Sequence, residues 1–310
     1  MSSAVIPGNV LQRERLLGAF STGLPLPSET EPQLAGALCQ VLQLPGSLVR
    51  AQLVYQMACA YKVGDNDAQD LAIAIEYFHS ASLLFDDLPC MDNAEQRRGA
   101  LCVHQVYGEA AAILAALALI NRAYAQLLRT LRHCPADRQA AAFSYVEKCL
   151  GVEGLLNGQS QDLHYASLSR DGLSSEMVAL NKTVPLIRLS LVLPAMLGDA
   201  PAVEIQLLER VAVFWGLSYQ ILDDLKDVCQ TKHQTGKTAD RDATLNRPNV
   251  ALAIGVKNAL LRVERIMLLG DRVLARLRVR RPSLFFMDEI RRRFRDEVAA
   301  IRLTEPVRRS

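Results

Sequence analysis

The sequence predicts an all-α fold, and three observations carry that expectation. Half of its 310 residues are apolar but only 5% are aromatic, and Leu and Ala, both strong helix formers, are abundant. Apolar residues recur at helical spacing along most of the chain, and no stretch sustains the period-2 alternation of a half-buried strand. Pro45, Pro135, Pro185 and Pro201 stand where helices would begin. Proline suits that position because its φ is preset and the missing N–H would be unsatisfied there anyway.

Taken in order, residues 1–31 carry Gly and Pro at 7, 8, 23, 25 and 27 and read as an irregular segment. Helical periodicity then predicts helices over 32–42, 46–63, 67–88, 109–132, 136–156, 174–183, 185–197 and 202–227. Asp67 and Ser174 suit N-terminal positions, where a side-chain oxygen can accept a free backbone N–H. The Ala-rich helix 109–132 fits an interface or a cavity wall. Residues 228–250 are rich in Thr, Lys, Asp and Asn and read as a long loop, a length often given to functional lids. The Arg-rich stretch 257–309, with Arg291-Arg292-Arg293 and Arg295, reads as a solvated helix face, with a membrane-surface or partner contact as the alternative. No repeat and no long linker divides the chain. One domain over 32–305 is expected, with ten to thirteen helices around a central cavity.

The formal net charge is +2, which gives no bias toward nucleic acid. The seven Cys, an odd number, include no Cys-x-x-Cys pair. A disulfide framework or zinc knuckle is not expected, and a reducing cytoplasm is the simpler setting. No basic segment followed by an apolar core opens the chain, so no signal peptide is expected. The apolar run 110–120 ends at Asn121-Arg122, short of the ~20 residues a bilayer span needs. No transmembrane segment is expected.

Two aspartate clusters stand out: Asp86-Asp87-Leu88-Pro89-Cys90-Met91-Asp92, followed by Arg97-Arg98-Gly99, and Asp223-Asp224-Leu225-Lys226-Asp227. Each closes an apolar helical run. Carboxylates there repel one another and the partial negative charge of the helix end, so the placement, made twice, calls for cations. Pro89 should end the first helix near Asp87, letting Asp86 and Asp92 approach round the kink. Asp223 and Asp227, four apart, share a helical face. The pattern fits a Mg²⁺-bridged diphosphate.

The segment 79–93, with Arg97-Arg98-Gly99, resembles the first aspartate-rich motif of the trans-isoprenyl diphosphate synthases (polyprenyl synthetases), in their bacterial short-chain farnesyl/geranylgeranyl form. Tyr219-Gln220-Ile221-Leu222-Asp223-Asp224-Leu225-Lys226-Asp227 resembles the second. Gly158-Gln159 with Asp162, Lys182-Thr183 and Gly236-Lys237-Thr238 follow the family's order. The resemblance covers roughly residues 35–255. It implies an isoprenoid-synthase-type helical bundle and a homodimer. It implies that Asp86, Asp87, Asp92, Asp223, Asp224 and Asp227 bind about three Mg²⁺ ions around an allylic diphosphate. Arg97, Lys182 and Lys237 would neutralise that diphosphate, with Thr183 in the same site. Gln220 would sit beside the allylic carbocation. Arg50, His79 and Arg98 would face isopentenyl diphosphate. Phe78, Ala81 and Ser82, just before the first motif, would form the floor of the product tunnel. A small Ala81 there implies a C15–C20 product, geranylgeranyl slightly preferred.

The chain departs from this pattern near residue 47. The family's Gly-Gly-Lys-Arg-x-Arg-Pro segment corresponds to Pro45-Gly46-Ser47-Leu48-Val49-Arg50-Ala51. Ser47 and Leu48 then replace two cations, and only Arg50 remains. Each charge-assisted bond to a diphosphate is worth ~1.5–3 kcal/mol, so the loss bears on the second substrate. Three readings follow. The chain condenses an allylic diphosphate with isopentenyl diphosphate; it ionises an allylic diphosphate without condensing it, as a terpene-synthase-like or diphosphate-cleaving enzyme; or it is a non-catalytic regulatory subunit of a heteromeric synthase.

Overall fold

The computed structural model describes residues 10–167, 172–229 and 247–304. Its helices are α1 (Val10–Thr22), α2 (Pro32–Gln43), α3 (Val49–Ala60), α4 (Asp65–Asp86), α5 (Val103–Tyr107), α6 (Glu109–Leu131), α7 (Ala136–Leu150), α8 (Leu155–Leu163), α9 (Gly172–Lys182), α10 (Val184–Leu197), α11 (Ala202–Cys229), α12 (Val250–Ile254), α13 (Val256–Arg280) and α14 (Met287–Thr304). The only strands among the described residues are β1 (Gln96–Arg97) and β2 (Ala100–Leu101). The chain divides into two compact units, residues 1–142 with 194–199 and residues 143–193 with 200–310. Two of the three divisions fall inside α7 and α10, and the third falls between α10 and α11.

In the first unit α4 packs on α6. Ala74 and Ala81 of α4 and Ala111, Ala112, Ala115, Ala116 and Ala123 of α6 are all at most 6% exposed, and side chains this small let two helix axes approach closely. α6 is long and apolar enough to cross a bilayer. This burial of its alanine face is what a core helix of the unit shows.

The N-terminal segment needs correction, because residues 10–22 form α1 rather than an irregular stretch. Leu16 and Phe20, four apart, are wholly buried. The Phe20 ring lies 5.0 Å from that of Tyr77, whose hydroxyl donates to the Phe20 carbonyl at 2.7 Å. An apolar face this narrow, flanked by Gly and Pro, gave too weak a period to read.

The expectation of no sheet is corrected by a minimal hairpin. β1 and β2 pair antiparallel, Gln96 opposite Leu101 and Arg97 opposite Ala100. Its two turn residues, Arg98 and Gly99, have φ of 55° and 79°, as the tight hairpin turn whose twist matches the strands requires.

In the second unit α11 and α13 enclose a core of Leu217, Ile221, Leu222, Leu225, Val263 and Ile266, joined by Val298 and Ile301 of α14. The expected helix 136–156 breaks after Leu150, and α8 begins at Leu155. Gly158 of α8 lies so close to α9 that an added Cβ would stand 2.3 Å from the Lys182 nitrogen. On α14, Arg292 and Arg293 pair with Glu289 one turn back, and Arg295 pairs with Asp271 of α13. The arginine run is thus a surface face matched to local carboxylates, where each pair contributes ~0–1 kcal/mol.

Candidate active site

The first aspartate cluster sits where α4 ends. Asp87 caps the helix, and the chain folds back at once. The Asp92 N–H donates to the Asp86 carbonyl at 2.9 Å and the Ala94 N–H to the Asp87 carbonyl at 3.1 Å. Pro89 forces this reversal, and the left-handed Asn93 (φ 49°) completes it. Asp86 and Asp92 are therefore neighbours, both partly exposed. Asp87 is 4% exposed. Arg97 holds it with Nε 2.7 and 2.9 Å from its two oxygens and Nη2 2.6 Å from Oδ1. Arg97, expected on the diphosphate, thus engages Asp87.

A second group of basic residues gathers around His79 of the same helix. His79 Nε2 accepts from Arg50 Nη1 at 3.1 Å. Burial, with the charges of Arg50, Arg98 and Arg97, holds the His79 imidazole well below its usual pKa, so it is neutral and can accept. Arg98 lies against Gly46, where an added Cβ would meet its Nε at 2.7 Å, and donates to the Leu44 carbonyl at 2.7 Å. The structure thus gathers Arg50, His79 and Arg98 around the turn 44–50. Ser47 is partly buried in that turn. Leu48 is 1% exposed and adopts φ 52°, so its side chain belongs to the core. The cation expected from family resemblance at 48 is absent because the position has been given to packing.

In the second unit the clusters of α11 and α9 meet. Thr183 Oγ1 donates to Gln220 Oε1 at 2.7 Å, and Gln220 Nε2 donates to Asp224 Oδ1 at 2.8 Å. Asp224 Oδ2 accepts the Val250 N–H at 2.8 Å, at the start of α12. Asp224 is 1% exposed and its carboxylate is bound by protein on both oxygens. Asp223 and Asp227 are partly exposed. Lys182 Nζ lies 2.6 Å from Asp162 Oδ2, and Arg247 Nη1 lies 3.7 Å from the same oxygen. Arg247 was not singled out by the sequence. Lys237 falls outside the described residues, as does most of the expected loop 228–250.

The carboxylates suit Mg²⁺, a hard cation that takes oxygen ligands. Among the described residues no three His, Cys, Asp or Glu side chains form an ion cage. Mg²⁺ is characteristically held by one or two carboxylates with waters and substrate phosphates, so the adjacent, partly exposed Asp86 and Asp92 fit it. Of the residues expected to set product length, Ala81 is 1% and Phe78 6% exposed. Ser82 is partly exposed, its hydroxyl donating to the His79 carbonyl at 2.8 Å. The Phe78 ring meets that of Tyr124 on α6 edge-on, centroids 5.0 Å apart.

The chain resembles known proteins in sequence and in fold. The chain is 36% identical over 219 residues to a chloroplastic geranylgeranyl pyrophosphate synthase of Capsicum annuum, covering 69% of this chain and 58% of that one. A Catharanthus roseus protein of the same name is 33% identical over 212 residues, covering 68% and 59%. The chain thus spans about three-fifths of the length of these curated relatives. Among solved structures, a geranyltransferase from Helicobacter pylori complexed with magnesium and isoprenyl diphosphate superposes with TM-score 0.77 at 23% identity, covering 94% of both chains. An FPP/GFPP synthase from Zymomonas mobilis gives 0.76 at 24% identity, covering 90% of this chain and 94% of that one. These two likenesses establish the isoprenoid-synthase fold. The polyprenyl synthetase family itself matches residues 31–267, well over half of the sequence, and the chain belongs to that family.

Proposed function

We propose that the protein is a Mg²⁺-dependent prenyltransferase that condenses an allylic diphosphate with isopentenyl diphosphate to a C15–C20 prenyl diphosphate, geranylgeranyl slightly preferred. One observation carries this choice. Helix α4 serves two distinct anion sites: partly exposed carboxylates at its end, suited to a metal-bound diphosphate, and His79 with Arg50 and Arg98, suited to a diphosphate bound without metal. An enzyme that only ionises an allylic diphosphate needs the first alone, and a regulatory subunit needs neither.

Bound Mg²⁺, about three ions, would supply positive charge to the departing diphosphate. Asp86 and Asp92, partly exposed in the first unit, and Asp223 and Asp227, partly exposed in the second, would hold it. Asp87 and Asp224 support them from buried positions. Lys182, Lys237 and Arg97 would add fixed positive charge as the diphosphate leaves. The Thr183–Gln220–Asp224 chain fixes the Gln220 amide, whose oxygen and whose neighbour Thr183 present dipoles to the allylic cation. Arg50 and Arg98 would hold isopentenyl diphosphate. His79, neutral, orients Arg50 and does not serve as the acid or base. Phe78, Ala81 and Ser82 would bound the growing chain, with Tyr124 bracing Phe78.

The reading extends to a homodimer. Ile113, Leu114, Leu117, Tyr124 and Leu128 line an exposed apolar stripe of α6, each 37–56% exposed, which a second copy would cover. Seven free cysteines favour a reducing, cytoplasmic setting. The decisive experiment incubates the protein with Mg²⁺ and each allylic diphosphate, with and without isopentenyl diphosphate. Consumption of isopentenyl diphosphate with a longer prenyl product is expected. Release of diphosphate while isopentenyl diphosphate persists would establish the ionising reading instead.

A further inference from the structure

Helix α3 begins without a cap of its own. Leu48 occupies the N-cap position, has no oxygen to offer, and makes no side-chain capping bond. Its left-handed backbone (φ 52°) is unusual for a branched residue. Helix starts leave N–H groups that need acceptors, and here one acceptor comes from another helix. Glu76 of α4, 2% exposed, places Oε2 3.0 Å from the Ala51 N–H. The peptide it holds is the one joining Arg50 to Ala51. Glu76 lies one turn before His79, and His79 takes the Arg50 guanidinium at 3.1 Å. Two residues of one face of α4 thus grip Arg50 from both ends, backbone and side chain. From the other side Gln52 Nε2 donates to the Ser47 carbonyl at 3.0 Å, closing the turn.

A carboxylate this deeply buried is costly unless it is compensated. Burial raises the Glu76 pKa, while Arg50, the Ala51 N–H and Arg98 act in the opposite direction. Packing alone would be served better by an apolar side chain. The family's corresponding segment ends in proline, which has no N–H to give, whereas this chain has Ala51 and its N–H is used.

We infer that Glu76 is the positioning residue of the Arg50–His79–Arg98 pocket, capping α3 in trans so that Arg50 is set for the second substrate's diphosphate. The inference rests on the proposed use of isopentenyl diphosphate, and its test separates the two. Glu76→Ala should raise KM for isopentenyl diphosphate about tenfold, as expected for one lost bond to a charged group. The KM for the allylic substrate should stay within twofold. Glu76→Gln, whose amide oxygen still accepts the Ala51 N–H, should restore most of the loss. A purely structural role would lower Tm and shift both Michaelis constants together. That outcome, or an unchanged KM for isopentenyl diphosphate, overturns the inference. If the wild-type protein consumes no isopentenyl diphosphate, inorganic diphosphate binding in EDTA replaces KM as the readout. There Glu76→Ala must weaken binding as Arg50→Ala does, and a loss in Arg50→Ala alone overturns the inference. Native-state hydrogen exchange of the wild-type protein needs no variant: the Ala51 amide should be protected, and exchange at the rate of an open amide rejects the cap.

Discussion

Arg97 holds Asp87 through three contacts of 2.6–2.9 Å, and the carboxylate is 4% exposed. An Arg–carboxylate pair of this kind is directional as well as charged. It neutralises one of the three acids of the first cluster from within the protein. Removing the cation alone leaves a buried charge unpaired, which is worse than removing both. Arg97→Met should destabilise the protein by about 2–4 kcal/mol, and Asp87→Asn/Arg97→Met by less. Urea denaturation of both variants checks the order.

The two aspartates of each pair should separate by function. Asp86→Asn and Asp223→Asn remove partly exposed oxygens and should raise the Mg²⁺ concentration needed for half-maximal rate, with kcat falling by two orders of magnitude or more. Asp224→Asn leaves one oxygen for two donors, the Gln220 amide and the Val250 N–H, and should chiefly lower Tm. Mg²⁺ titrations of steady-state rate, run beside thermal melts, distinguish the two effects. Equal Mg²⁺ shifts in Asp223→Asn and Asp224→Asn would place Asp224 on the metal after all.

His79 predicts a pH dependence of stability. Its folded pKa is depressed, while the unfolded imidazole titrates at about 6.5. Above pH 6.5 both states are neutral and His79 has no effect. Below it the unfolded state binds a proton that the folded state refuses, so stability is lost as the pH falls from about 6.5 toward the folded pKa. His79→Gln should flatten the fall in Tm between pH 7 and pH 5. A parallel fall in wild type and variant would contradict the neutral assignment.

Positions 47 and 48 should respond differently to restored charge. Ser47→Lys adds an ammonium at a partly exposed site and should lower KM for isopentenyl diphosphate. Leu48→Arg would have to place a guanidinium where the native side chain is 1% exposed, at a cost of about 2–4 kcal/mol. Steady-state kinetics and melts of the two single variants check this.

Product length should answer to Ala81 at a price in stability. Ala81 is 1% exposed, so Ala81→Phe overpacks the α4–α6 contact by about 1–3 kcal/mol while narrowing the tunnel floor. A shorter prenyl chain and a lower Tm are expected together. An unchanged product in a folded variant removes Ala81 from the floor.

The sequence made the helices legible because their apolar faces are broad, as with the alanines of α4 and α6. It did not show α1, whose buried face is little more than Leu16 and Phe20. The aspartate clusters were legible as residue types, but type does not show burial. Asp86 and Asp87 look equivalent in the chain, yet a helix end turns one outward and the other toward Arg97. Leu48 read as a missing cation, since only the backbone angle reveals that its side chain joins the core. Glu76 was invisible for a related reason: its partner is a backbone N–H, which every residue but proline carries and no motif records.

Arg97 and Arg98 are consecutive, yet they serve different customers across one hairpin turn. Arg97 reaches the metal-side carboxylate Asp87, and Arg98 reaches the Leu44 carbonyl and Gly46. A two-residue turn has no slack to absorb a shift on one side without moving the other. If both proposed substrates bind, their affinities should therefore be linked through Gly99, whose φ of 79° a side chain would strain. Gly99→Val should degrade both Michaelis constants at once.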